Sequence, residues 1–575
     1  MYLKSPYPDV PPIPELNAHH LFFGRPDQAE WPEDFTLHID VKTGRKRTYR
    51  EFVQRVRQGA TALGTPVSDG GLGLTGGEGE IVGIMSDNSM DYITIVHSLL
   101  AITTPFALIS SYSTPFELKH ALELSKATRL FVNARLLPML LPVAKKAGIP
   151  SSKIHILGGK AKGRKSFSEL IDDTRRIQSI APRPAKKDTL AYLVFSSGTS
   201  GLPKAVMISH GNIVYSLAQS VVVGQATAEV YQPPPPKTPE GIPVGLGFLP
   251  LHHTYGLHAY CFRAFLTPAT LLIMARWDIE VALKAIPKYR VSSIGLIPSV
   301  VHQLVNHPSI HKVDFSSVQF MGSGAAYLPP ELSAKLTSLV PKDATFTEGY
   351  GMSEATIAAV TQPFPGSLGG RMKRVSGCTG VLLPGMEGRI VRDDGSEADV
   401  NEVGELYLKS PNIAMGYWNN EKATRETFVD GWLRTGDKFR VDEEGYFFFA
   451  DRAKDTLKVS GIQVSPVEIE NVLLSHPKGI ITDATVAGVS GGRTSDEKVP
   501  RAWVVLGEAG KKMGAAAAIK ELEGWHQENL SKYKWLRGGI EVVKQIPKSP
   551  TGKVLRRILQ DKYEHQVAKK AKAKL

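Results

Sequence analysis

The sequence predicts an α/β chain. It has a large N-terminal domain of parallel and mixed sheets flanked by helices, a β-barrel-like subdomain, and a small α+β domain at the C-terminal end. Three observations carry this. Short apolar runs alternate with longer helix-like segments over most of the chain. Gly, Ser or Pro follows most of those runs, as βα turns require. Past residue 453 both the pattern and the charge change.

The apolar runs are Glu80–Met85, Leu130–Val132, Leu190–Phe195, Val244–Leu249, Leu271–Met274 and Ile294–Ile297. They are short, rich in Val, Ile and Leu, and read as buried strands of parallel sheets. Pro115–Ser125 and Val300–His307 carry helical spacing. Tyr231–Pro243 holds four consecutive prolines, Pro233–Pro236, and reads as a surface loop. Glu402–Leu408 and Gly445–Phe449 read as strands of a different, more antiparallel region. Residues 454–575 run strand, helix, strand, helix, strand and basic tail, which suits a small α+β domain. The division is therefore 1–453 and 454–575.

With 575 residues, the chain is long enough for a large core. At 42% hydrophobic and 22% charged residues the composition is globular, which excludes wholesale disorder and a collagen-like fibre. The net charge is +13 and unevenly placed: residues 454–575 hold 22 basic and 13 acidic residues, a net of +9. Such an excess points to an anionic partner, whether nucleic acid, membrane surface or phosphorylated small molecule. No zinc-finger spacing or RNA-binding motif supports nucleic acid. Two cysteines, Cys261 and Cys378, build neither a disulfide framework nor a four-ligand zinc site, and suit a reducing compartment. The N-terminus, from Met1 to Pro6, lacks the apolar core of a secretory signal. The longest apolar stretch, His258–Ala275, is interrupted by Arg263, Thr267 and Pro268 and reads as buried, not membrane-spanning.

Chemistry concentrates first after the strand Leu190–Phe195, in Ser196-Ser197-Gly198-Thr199-Ser200-Gly201-Leu202-Pro203-Lys204. Small residues let backbone N–H groups close on phosphate oxygens, the hydroxyls add donors, and Lys204 adds a point charge. The Walker spacing is absent, because Lys204 follows the second glycine by three residues. In Thr347-Glu348-Gly349-Tyr350-Gly351-Met352-Ser353-Glu354 the glycines give a turn that admits a flat ring, and Tyr350 can stack on it. Glu354 is a hard oxygen donor suited to Mg²⁺. A carboxylate in Thr435-Gly436-Asp437 suits a pair of ribose hydroxyls. No Gly-x-Ser-x-Gly elbow supports a serine hydrolase.

These motifs resemble those of the adenylate-forming superfamily, which includes acyl- and aryl-CoA ligases, luciferases and nonribosomal-peptide adenylation domains. The likeness runs from about Thr48-Tyr49 to Arg557 and is strongest to the 4-coumarate–CoA ligase-like branch. It implies ATP-, Mg²⁺- and CoA-dependent ligation of a small carboxylic acid. Ser196–Gly201 and Lys204 would cradle phosphate, and Glu348, Gly349, Tyr350, Gly351, Ser353 and Ala325 would bind the nucleotide. Asp437 and Arg452 would meet ribose and phosphate, and Glu354 the metal. Leu249-Pro250-Leu251-His252-His253-Thr254-Tyr255 matches the loop facing the acid, with His253, Tyr255, Gly324 and Gly351 toward the acyl group and His252 without an assigned role. In Pro547-Lys548-Ser549-Pro550-Thr551-Gly552-Lys553, Lys553 matches the lysine that stabilises the charge gathered during adenylation.

The resemblance further implies that the small domain is mobile and rotates about Lys454. Lys458 and Gln463 would then meet the adenylate in a second pose, with Ser460, Gly461 and Arg276 toward CoA. Ser460 replaces a lysine common in the family, and Glu348 a glutamine common in this branch. After Glu354 the chain reads Ala355-Thr356-Ile357-Ala358, where coumarate ligases have Ala-Gly-Pro-Val, so an aryl-alkyl, medium-chain or branched acid suits as well as coumarate. A free-standing adenylating enzyme that loads a carrier protein is the alternative, favoured by Ser460 and opposed by Lys458, Gly461 and Arg276. An inactive relative is opposed by intact Lys204, Glu354, Asp437 and Lys553. Ala573-Lys574-Leu575 resembles a Ser-Lys-Leu-type address, which implies a peroxisomal import receptor as partner and a peroxisomal location; without it the expectation is cytoplasmic.

Overall fold

Val82–Met85 is buried along its whole length. It lies inside a six-stranded sheet in the order Ile154–Gly158, Arg129–Asn133, Val82–Met85, Phe106–Leu108, Leu190–Ser196, Lys204–Ser209. The first five strands are parallel; the last folds back antiparallel on its neighbour, Ser196 opposite Lys204. The continuous apolar character of these strands follows from burial on both faces. Their crossover helices start at sequence-encoded caps. Thr114 and Glu117 form a capping box on Pro115–Ser125, and Ser89 caps Met90–Ala101, a helix almost wholly inside the core.

A nine-stranded sheet lies alongside. Thr36–Asp40, Thr270–Ile273, Val244–Gly247, Ser293–Leu296, Phe320–Ser323 and Thr345–Tyr350 run parallel, with short antiparallel strands at both edges. The parallel strands of both sheets end at the motif loops, as ligand-binding α/β sheets do. A third, antiparallel sheet joins Tyr2–Lys4, Glu387–Val391, Gly404–Lys409, Trp432–Val441, Phe428–Val429 and Phe447–Arg452. The computed structural model describes residues 1–575 apart from 78, 197–202, 326–327, 453–456, 460–461, 465, 491–497, 531–533, 550–551, 553 and 573–575.

The C-terminal part has its own core of Val486, Ala502, Val504 and Leu522. Two of its three main strands, Ile481–Ser490 and Lys498–Leu506, pair antiparallel, and Ile540–Val542 adds in parallel. The expected strand–helix alternation is therefore interrupted by a hairpin, because a short connection can join antiparallel strands without a crossover helix. The basic tail is a helix, Arg556–Lys572, and Leu559 is buried against the sheet. Tyr231–Pro243 has neither helix nor strand, as four prolines dictate. His258–Ala275 is a buried segment in which Cys261, Phe262 and Phe265 pack into the core. Among the described residues no helix is long and apolar enough to cross a membrane.

Candidate active site

The two parallel sheets, the third sheet and the small domain border one cleft of about 1090 Å³. The Gly-rich segment is the connection of the hairpin Leu190–Ser196/Lys204–Ser209, not a strand-to-helix turn. Ser196 and Lys204 line the cleft; Ser197, Gly198, Thr199, Ser200 and Gly201 lie outside the described residues. The Lys204 ammonium sits 4.5 Å from the centre of the Tyr417 ring, a cation–π contact that holds the charge over the cleft. The Tyr417 hydroxyl donates to Glu354 Oε1 at 2.9 Å. Burial, then the adjacent Glu354 charge, push the Tyr417 phenol well above its ordinary value, so it stays a donor.

Glu354 is 5% exposed. It sits on a single turn, Ser353–Ala355, that ends at Thr356 with φ of +63°. The approach to this turn admits only glycine at 351, where a Cβ would lie 1.7 Å from the Ile357 carbonyl oxygen. Asn412 donates to the Ala355 carbonyl at 2.9 Å and secures the turn from behind. Among the described residues no group of three or more metal-ligating side chains exists. One buried carboxylate nevertheless fits Mg²⁺, which takes few protein ligands and completes its shell with phosphate oxygens and water.

Tyr350 and Asp437 meet directly. The Tyr350 hydroxyl donates to Asp437 Oδ2 at 2.7 Å, and the ring packs edge-on to Phe439 at 4.9 Å. Asp437 stands on Trp432–Val441, opposite Arg452 in the antiparallel register. Glu348 also lines the cleft. Burial pushes its carboxyl up to about 7, against a Ser333 hydrogen bond that lowers it. Ala325 follows the strand Phe320–Ser323 with φ of +72°, a left-handed conformation that costs a non-glycine residue energy.

The acid-facing loop is fastened at both ends. Asn88 donates to the Leu249 carbonyl and accepts from Leu251 N–H, each at 3.0 Å. Thr254 and Ser353 hydroxyls bond at 2.9 Å, tying this loop to that of Glu354. His253 caps the helix Thr254–Leu257, its Nδ1 accepting from Tyr255 N–H at 3.4 Å, and lines the cleft. His252 lines it too, 5.8 Å from the Tyr112 ring, with burial holding its imidazole down to about 4. Tyr255 stands between Gly295 and Gly324, where a Cβ at 295 would lie 3.3 Å from its hydroxyl, and burial pushes its phenol up to about 12.

Arg276 is not on the cleft wall. Its Nε donates to Asp87 at 2.9 Å and its guanidinium stacks on Tyr112 at 4.4 Å. Arg135 shares the same aspartate. Lys553, Lys454, Ser460 and Gly461 lie outside the described residues, as do the side chains of Arg452, Lys458 and Gln463. The flanks of position 553 are at the cleft: Ser549, Gly552 and Val554 line it. Gly552, with φ of +82°, presses on Ser299 of the large body, where a Cβ would fall 2.8 Å from its hydroxyl. His302, on the helix Pro298–Val305 that also carries Ser299, bonds the Thr482 carbonyl at 2.7 Å. The hairpin Leu457–Val459/Ile462–Val464 contributes no described residue to the cleft. Sequence reading missed Tyr417, Asn88 and Asn412, whose partners are 63, 161 and 57 residues away; no local motif marks them.

Residues 26–418 match the AMP-binding enzyme family and residues 468–553 match the AMP-binding enzyme C-terminal domain. The chain belongs to that family. It is 32% identical over 97% of both chains to probable 4-coumarate–CoA ligase 1 of Dictyostelium discoideum. It is 30% identical to phenylacetyl-CoA ligase epaB of Aspergillus niger, over 94% of this chain and 96% of that one. Among solved structures, the anthranilate CoA ligase AuaEII with anthranoyl-AMP superposes with a TM-score of 0.79 at 24% identity, over 97% of this chain and 99% of that one. The particular class follows: the chain is an ATP-dependent acid–CoA ligase that forms an acyl adenylate and then a thioester.

Proposed function

We propose that this one cleft runs both half-reactions with the residues named above. In the first, a carboxylate oxygen of the acid attacks the α-phosphorus of ATP and pyrophosphate leaves. In the second, the CoA thiolate attacks the acyl carbon and AMP leaves. No enzyme nucleophile is required, so the protein's contribution is position and electrostatics. Ser196 and Lys204 hold phosphate; Tyr350 and Glu348 border the base, and Asp437 receives the ribose. Mg²⁺ would rest on Glu354, whose orientation Tyr417 fixes, and would neutralise phosphate charge. His253 and Tyr255 face the acid. Lys553 delivers positive charge in the adenylation pose, which the contact of Gly552 with Ser299 supports. Lys458 and Gln463 replace it after the small domain turns about Lys454, bringing Gly461 and Ser460 to CoA. Arg276, held to Asp87 through Nε and partly exposed, would offer its remaining N–H groups to CoA.

The observation that carries this reading is the chain Lys204–Tyr417–Glu354, which lines up a cation, a donor and a carboxylate along the phosphate end. Incubating the protein with MgATP and a panel of carboxylic acids, with and without CoA, tests it. AMP together with CoA thioester is expected. Adenylation without thioester from any acid would transfer the reading to a carrier-protein acceptor. We also propose peroxisomal delivery through Ala573-Lys574-Leu575, which follows the basic helix Arg556–Lys572. A reporter fused to the last ten residues should become punctate; a diffuse signal would remove this claim.

A further inference from the structure

We propose that the acyl end of the cleft is built for an acid with a second carboxylate, which Arg263 receives. The inference rests on the acid–CoA ligase reading. Arg263 opens the turn Arg263–Phe265, directly after a π-helical turn, His258–Phe262. Such turns re-aim side chains and recur at functional sites. Its side chain lines the cleft beside Tyr260, Ala264, Thr270 and Leu271. Nε is buried and has no hydrogen-bond partner. Among the described residues no carboxylate lies within ion-pair distance of the guanidinium. The ionisable groups whose charges act on or respond to it are Tyr255 and His258, neither an anion at neutral pH. Burial lowers its pKa from the ordinary arginine value.

Arg263 as a whole is half-buried, yet its Nε is sealed from solvent without a partner, and a partly desolvated cation is favoured where something supplies the opposite charge. Within the protein nothing described does. A planar guanidinium matches a carboxylate with two parallel hydrogen bonds. The position sets the ligand's length. Arg263 is eight residues beyond Tyr255, roughly two turns or about 10 Å along a path that ends in the π-helical turn. One carboxylate of the acid therefore lies at the His253–Tyr255 end, for adenylation, and the other at Arg263. A monoacid of equal length would leave the buried Nε unpaired, the kind of loss on which sites discriminate most strongly.

The test compares straight-chain α,ω-dicarboxylates with matched monocarboxylates of roughly six to twelve carbons, a range set by that separation. The kcat/KM for AMP release is measured with MgATP and CoA. The wild type should favour the dicarboxylate at its best length by on the order of 100-fold. Arg263→Met should reverse the preference, and Arg263→Lys should keep part of it. A dicarboxylate, and not its monoacid partner, should raise the melting temperature of the wild type; this readout stands even if Arg263→Met folds poorly. A wild type that prefers monoacids at every length, or an unchanged ratio in Arg263→Met, overturns the inference alone. AMP from no acid at all would remove the ligase reading and the inference with it.

Discussion

The two ends of the cleft treat charge in opposite ways. At the nucleotide end the charged groups already have partners. Lys204 rests on Tyr417, Tyr417 donates to Glu354, and Tyr350 donates to Asp437. At the acyl end one cation, Arg263, has no described partner among apolar walls. A ligand that brings many charges of its own, such as a nucleotide, suits groups held in place beforehand. A ligand that brings one charge suits a site that withholds its pairing until binding. The difference teaches where specificity resides: common chemistry at the paired end, acid selection at the unpaired end.

Four variants test that contrast. The largest effect is expected from Lys553→Ala, which should cut adenylation by at least about 100- to 1000-fold. Thioester formation from supplied acyl-AMP should be spared; equal loss of both half-reactions, measured separately, would contradict the two-pose mechanism. Gly351→Ala comes next. Its Cβ would meet the Ile357 carbonyl at 1.7 Å, so the Glu354 turn must shift. A loss on the order of 4 kcal/mol in unfolding free energy, with loss of nucleotide binding, is expected. Tyr417→Phe removes one hydrogen bond to a buried carboxylate. It should cost about 1–2 kcal/mol of transition-state stabilisation, roughly 10-fold in kcat/KM. Loss of activity in Tyr417→Phe with unchanged ATP affinity would sharpen its role as an orienter of Glu354.

The last variant, expected to touch turnover least and read on stability instead, concerns Glu348. Its folded-state carboxyl is raised to about 7 from an ordinary value near 4.5. Between those two values the folded state holds a proton that the unfolded state has released. Stability from this group therefore falls as pH rises from about 4.5 through about 7. Glu348→Gln removes that dependence. The melting-temperature difference, variant minus wild type, should grow across this window and level off above it. A flat difference would show that the carboxyl is not perturbed.

Much of this was legible in advance, for physical reasons. Buried parallel strands read as short apolar runs, and every such run named from sequence overlaps an observed strand. The Pro115–Ser125 helix is bounded as expected because Thr114 and Glu117 write its start into the sequence. The motif residues from Glu348 to Glu354 line one cleft because the end of one strand and the turn after it carry them. What escaped is long-range. Tyr417 meets Glu354 only because its segment lies along the strand Lys204–Ser209 of the first sheet, bridged to Val206, while Glu354 follows a strand of the second. Arg263 looked in the sequence like an interruption in an apolar stretch. Its meaning appears only when the π-helical turn puts it on the cleft wall. The antiparallel hairpin of the small domain escaped as well, since apolar runs do not declare strand direction.

The same contrast sharpens the reading of the basic small domain. Several of its cations are committed internally, Arg556 to Glu470, Lys548 to Asp483 and Arg501 to Glu541. The +9 of residues 454–575 is therefore not simply an open surface field. Part of it braces the segments beside position 553.

The most direct test of the central claim quantifies AMP and CoA thioester in one reaction of wild-type protein, MgATP, CoA and the preferred acid. Equal amounts of the two products, with steady AMP release collapsing when CoA is omitted, are the predicted result. Steady AMP release with no thioester would contradict the account.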